Sequence, residues 1–149
     1  GSEMCIRDRS KHCDVISYNI YDRTPDNRLS QYAEIDFPFL ASEWGIDSDP
    51  RQSPFRATKV SVAIGRGGDR SEAMVAYAEA AMANPKLVGA HFFQYKDQPL
   101  SGRYDGEALL RGFINVADTP NFDLVHANRK VAYDLYKRRA QQRPIARSR

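Results

Sequence analysis

Apolar residues cluster in three short runs, separated by polar loops and by one alanine-rich segment of helical character. Asp14-Val-Ile-Ser-Tyr-Asn-Ile-Tyr21 is dense in β-branched and aromatic residues and predicts a buried strand. Residues 22–27, with Thr24, Pro25 and Asp26, predict a loop, and Leu29 to Ile35 one short helix. Phe37-Pro-Phe-Leu-Ala-Ser42 is the second apolar run, with Pro38 near its start and Trp44-Gly45 breaking it. Residues 47–54 carry two prolines and two aspartates and predict a long loop. Phe55 to Ile64 fits neither period cleanly, and Gly65-Arg-Gly-Gly68 predicts a flexible turn.

Ser71 stands as N-cap of a helix from Glu72 to Ala83, which Asn84-Pro85 stops. Leu87 to Tyr95 predicts a third buried strand, with His91 a core histidine, and Lys96 to Glu107 a polar loop. Thr119-Pro120 opens the last helix as N-cap and first residue, with Phe122, Val125, Ala132 and Leu135 at helical spacing. Alternating strands and helices imply βαβ units and a parallel sheet. Ligands of such sheets gather at the C-terminal ends of the strands. The polar residues Asn19 and Tyr21, Glu43, and Gln94 with Asp97 stand at those three ends.

The chain has 149 residues, 42% hydrophobic and 28% charged, a globular composition. That suits one domain but falls short of the roughly 250 residues of a complete (β/α)8 barrel. No stretch approaches the ~18 apolar residues of a membrane span. The net charge of +3 is set by the C-terminus: residues 137–149 hold six bases and no acid. Without them, sixteen Lys and Arg face nineteen Asp and Glu, a net of −3. A mildly acidic body lacks the basic face that phosphate binding needs, so neither nucleic acid nor membrane is an expected partner, and residues 137–149 read as a frayed basic tail.

Glu3-Met-Cys-Ile-Arg-Asp-Arg9 has neither a helical nor a strand period and resembles the translation of a mosaic-end adapter used in DNA library preparation. Residues 1–10 are therefore set aside as a scar on a metagenomic fragment. Cys13 then stands alone, and no disulfide framework is implied. His12, His91 and His126 lie far apart, with no metal-binding motif and no G-x-S-x-G elbow, so no cofactor is expected. The glycines at 65–68 match no phosphate loop.

Glu43 ends an apolar strand, where a carboxylate is costly unless paired or functional. Around it stand Trp44, Phe92, Phe93, Tyr95 and Tyr104, which can meet the CH faces of sugar rings. Asn19, Gln94, Asp97, Gln98 and Asp105 can meet sugar hydroxyls.

Ala41-Ser-Glu-Trp-Gly45, Val88-Gly-Ala-His-Phe-Phe-Gln-Tyr-Lys-Asp-Gln-Pro99, Gly102-Arg-Tyr-Asp-Gly-Glu107 and Gly112-Phe-Ile-Asn-Val-Ala-Asp-Thr-Pro120 resemble, in order and spacing, the C-terminal third of glycoside hydrolase family 50. These are β-agarases of clan A with (β/α)8 barrels, and the resemblance runs from about Cys13 to Tyr136. It implies an α/β fold in which the three strands are barrel strands six, seven and eight. Residues 11–136 would then form part of a catalytic domain. Glu43 would be the nucleophile, with Tyr21 or Asn19 as its partner. Substrate contacts would come from Asn19, Tyr21, Trp44, His91, Phe92, Gln94, Asp97, Gln98, Arg103, Asp105 and Glu107. Phe92 stands where the family commonly has Trp, and Glu107 reads as a loop-fixing or subsite residue.

The implied reaction is retaining hydrolysis of agarose, with two carboxylates about 5–5.5 Å apart. The acid/base would follow strand four, outside this chain, so the parent would be an enzyme and this chain alone inactive. Exposed barrel edges would favour self-association. A polymeric substrate implies a secreted or periplasmic parent. The alternatives are another clan A glycosidase, such as a β-galactosidase-like enzyme, or a non-catalytic carbohydrate-binding domain.

Overall fold

The computed structural model describes residue 8, residues 10–46 and residues 69–142. The readings made for residues 47–68, for 143–149 and for most of the adapter-like segment lie outside the described residues.

Three parallel strands form one sheet in the order β1 (Ile16–Asn19), β2 (Phe39–Trp44), β3 (Leu87–Phe92). Between β1 and β2 lie a short helix α1 (Asp26–Leu29) and a 3-10 turn (Ser30–Tyr32). Helix α2 (Arg70–Ala83) precedes β3, and α3 (Phe122–Ala132) and α4 (Leu135–Ala140) follow it. The alternation read from the sequence is therefore present, as a parallel α/β sheet.

Several boundaries differ from the sequence reading. Pro25 N-caps α1, so the helical segment starts and stops earlier than Leu29 to Ile35. Asp69, rather than Ser71, caps α2: its carboxylate accepts from the Ser71 backbone N–H at 2.8 Å. The Ser71 hydroxyl spends itself on the same carboxylate. Strand β3 ends at Phe92, because Tyr95 and Lys96 leave the sheet to pair with Ile114. Pro120 bridges to Ile114 and α3 begins only at Phe122, after Asn121. Asn121 is tied to the loop by N–H to Phe113 O and side chain to Gly112 O.

The core lies under one face of the sheet. Ile16, Phe39, Ala41, Trp44 and Leu87 meet Met74, Tyr77 and Ala81 of α2 and Leu124 and Ala127 of α3. Burying each large side chain contributes about 1.5–3 kcal/mol. The inward stripe of α3 is Leu124, Ala127 and Val131, while Phe122 and Ala132 are exposed. The inward face is therefore not the expected stripe of Phe122, Val125, Ala132 and Leu135. Arg70 and Asp123 clamp α2 to α3 through two hydrogen bonds.

The start of the basic tail is structural rather than frayed. Residues 137–140 belong to α4. The Arg139 guanidinium donates to the carbonyls of Met82, Asn84, Pro85 and Leu87, so it binds the whole turn between α2 and β3. Arg138 pairs with Glu79 at 3.1 Å.

Candidate active site

The site is built where β1 and β2 end. Their register sets Asn19 directly opposite Glu43, after an irregularity at Tyr18/Asn19. Ile20 N–H donates to Glu43 O at 2.8 Å and extends the ladder one step further. Tyr21 thus leaves the sheet beside the Glu43 side chain. Asn19 Nδ2 and Tyr21 OH each donate to Glu43 Oε2 at 2.8 Å. Ser42 donates its hydroxyl to Asn19 Oδ1 at 3.0 Å, which fixes the amide with its NH2 toward the carboxylate. Among the described residues no hydrogen bond falls on Glu43 Oε1.

Burial raises the Tyr21 phenol above its ordinary value, and the hydrogen bond to Glu43 and its charge push the same way. Tyr21 therefore stays protonated and remains a donor to Glu43 at any working pH. The Arg111 guanidinium packs over the Tyr21 ring, 5.2 Å from the ring centroid.

The other expected residues divide into two groups. His91 and Phe92 end β3, and Gln94 lies just beyond it. His91 is exposed, which corrects its reading as a core histidine. On the same strand Leu87 is buried, and Ala90 and Phe92 pack against the core. Phe92 is half-buried and packs edge-on to Trp44 and tilted against Phe113. The Gln94 amide donates to Lys96 O at 2.8 Å.

Asp97, Gln98, Arg103, Asp105 and Glu107 form a separate network that folds the loop after β3. Gln98, 1% exposed, accepts from Leu109 N–H and donates to Glu107. Arg103 bridges Glu107 at 2.9 Å and Asp105 at 2.7 Å. Asp97 accepts from Gly112 N–H at 2.6 Å, and burial raises its carboxyl above the ordinary aspartate range. A Cβ on Gly112 would lie 2.2 Å from Asp97 N, so only glycine permits this approach.

Trp44, Asp97 and Gln98 thus differ from the sequence reading: they are turned inward. Trp44 is 4% exposed with its ring laid on Tyr77, and the polar ends of Asp97 and Gln98 serve loop N–H groups. Glu107 accepts from both Gln98 and Arg103 within the loop.

Arg111 and Tyr77 were not singled out from the sequence. A lone charge inside the apolar run from Ala108 to Ile114 was the available signal for Arg111. Among the described residues no group of three or more His, Cys, Asp or Glu could hold a metal ion, and no described helix is long and apolar enough to cross a membrane.

A carboxylate held by an amide and a phenol lies at the C-terminal edge of a parallel α/β sheet, where such sheets gather their ligands. β-Agarase B of Vibrio sp. (strain JT0107) is 38% identical over 128 residues, covering 84% of this chain and 13% of that protein. β-Agarase A of the same strain is 35% identical over 134 residues, covering 83% and 13%. The solved structure of an exo-β-agarase superposes with a TM-score of 0.81 at 34% identity, over 93% of this chain and 18% of that one. The solved structure of PfGH50B superposes with a TM-score of 0.76 at 30% identity, over 90% of this chain and 19% of that one. No family model matches the chain. Over most of its length the chain is similar to one part of these family 50 agarases, and it spans about 13% of the length of the curated relatives it matches.

Proposed function

We propose that this chain is part of a retaining β-agarase that hydrolyses β-1,4 bonds of agarose, with Glu43 as nucleophile. The observation that carries the reading is the carboxylate itself. Two donors, Asn19 at the end of β1 and Tyr21 just beyond it, grip Oε2, and Oε1 is left to face an anomeric carbon. In this reading β1, β2 and β3 are strands six, seven and eight of a (β/α)8 barrel.

Glu43 Oε1 attacks the anomeric carbon as the glycosidic bond breaks, and the departing oxygen takes a proton from a second carboxylic acid. That acid lies outside these 149 residues. The same group then removes a proton from water, which attacks the anomeric carbon and releases Glu43. Asn19 and Tyr21 keep the carboxylate oriented and take up its returning charge in the second step. His91, Phe92 and Gln94, at the end of β3, are offered to the sugar, and the loop from Asp97 to Glu107 forms the wall. A parent acting on a polymer too large to enter cells works outside the cytoplasm.

The isolated chain is inactive in this reading. It also self-associates, because β3 has an open edge with Val88 57% exposed.

The test is to splice the chain into β-agarase B in place of the matching segment. Agarose hydrolysis is expected, with loss in Glu43→Gln. In Glu43→Ala, azide and an activated aryl oligosaccharide should give a glycosyl azide of inverted configuration. Full activity of the Glu43→Gln splice overturns the nucleophile. Hydrolysis by the purified 149-residue chain overturns its incompleteness.

A further inference from the structure

Arg111 is the largest fully buried side chain, 1% exposed, yet it is a cation. It sits between two parts of the site. One face of its guanidinium covers the Tyr21 ring, 5.2 Å from the centroid. It also lies against the backbone of Gly45, two residues beyond Glu43. A Cβ built on Gly45 would lie 2.8 Å from one Arg111 terminal nitrogen and 3.1 Å from its Cδ. The same Cβ would lie 2.5 Å from the Phe93 carbonyl oxygen, so glycine at 45 lets both the Phe93 backbone and Arg111 lie against the end of β2.

The loop is anchored on both sides of Arg111. Leu109 N–H is held by buried Gln98, and Gly112 N–H by buried Asp97. The Gly112 carbonyl accepts from Asn121 at 2.7 Å. Two buried polar side chains therefore serve the segment that carries one buried cation. Charged or titratable groups around the phenol are Glu43 from β2, Glu107 and Arg111 from the loop, and Tyr77 from α2.

The geometry points to Arg111 as the positioning residue of the Tyr21–Glu43 pair: packed on the phenol face and against Gly45, it keeps the hydroxyl aimed at the carboxylate. A cation on the ring face draws electron density from the phenol and strengthens O–H donation. This deepens the reading of Glu43 as nucleophile, because it names what holds the donor to that carboxylate.

The test is carried out on the 149-residue chain with tyrosine labelled at Cζ with carbon-13, Tyr21 being assigned from Tyr21→Phe. The Cζ shift reports how strongly a phenol donates. Arg111→Met keeps an apolar stem and removes the charge, whereas Arg111→Lys keeps the charge. The expected result is an upfield move of Tyr21 in the methionine variant, toward its position in Glu43→Gln, with the lysine variant near wild type. Trp44 emission monitors the fold. Should the methionine variant lose it, Arg111→Gln is scored in its place. A Tyr21 resonance that stays put without the charge overturns the proposal, and so does an equal displacement by lysine and methionine. The readout is a resonance rather than turnover, so it fails or succeeds independently of the nucleophile assignment.

Discussion

The indole of Trp44 lies flat on the ring of Tyr77, with centroids 4.0 Å apart and planes within 3° of each other. This stack fastens the last residue of β2 to α2, immediately after Glu43 in the chain. Tyr77 also donates its hydroxyl to Ile20 O at 3.1 Å, so one tyrosine ties down the ends of both strands that carry the site. Trp44→Ala should lower the unfolding free energy by about 3–5 kcal/mol. Tyr77→Phe keeps the stack and should cost about 1 kcal/mol for the lost hydrogen bond. Urea unfolding followed by far-ultraviolet circular dichroism checks both, and equal effects would refute the stacking argument.

Tyr21 and Asn19 converge on one carboxylate oxygen, which makes their effects separable from that of the nucleophile. A hydrogen bond to a charged group contributes about 1.5–3 kcal/mol. In the spliced enzyme, Tyr21→Phe should therefore reduce kcat about ten- to a hundredfold, with KM little changed. Asn19→Ala should act in the same direction. Steady-state kinetics on an agaro-oligosaccharide decide the matter. A Tyr21→Phe enzyme that loses KM and keeps kcat would contradict the role given to the phenol.

Two neighbouring arginines of α4 should behave differently. Arg139 meets four carbonyls in the turn between α2 and β3, and Arg139→Ala should cost about 1–3 kcal/mol. Arg138 makes an exposed pair with Glu79, and Arg138→Ala should cost less than about 0.5 kcal/mol. Neither change should create or abolish salt-dependent DNA binding. Melting temperatures of the two variants, with a DNA mobility assay, test this.

The Arg70–Asp123 clamp gives a pH dependence whose sign is fixed. Partial burial pushes the Asp123 carboxyl up, but the Arg70 hydrogen bond and charge outweigh it and leave the group below its ordinary value. A depressed folded-state value contributes stability that is full above the unfolded value, about 3.9. That stability is lost as pH falls through the folded value. Asp97 has the opposite sign, since burial raises it and its ionisation opposes folding as pH rises through the folded value. Thermal melts of wild type and Asp123→Asn from pH 7 to pH 3 should therefore converge in acid, the wild type losing more. Parallel curves would show that the clamp is not coupled to folding.

The sequence by itself determined the order of elements, since strand and helix periods are local properties of a few consecutive residues. It also marked Glu43, because a carboxylate closing an apolar run is conspicuous without any structure, and it placed Asn19 and Tyr21 at the neighbouring strand end. Only the tertiary structure decided which way individual side chains face. Trp44 and Gln98 belong to residue types that serve a sugar site or a core equally well, and the choice was made by Tyr77, 33 residues from Trp44, and by the Leu109 N–H. Arg139 looked like part of a loose basic tail until the carbonyls left open at the end of α2 were set beside it. Arg111 acquired a role only when the loop after β3 folded back over Tyr21. Each of these outcomes depends on a partner far away in the chain. A hydrogen bond or a ring stack depends on where that partner sits in space, and local residue patterns carry no record of it.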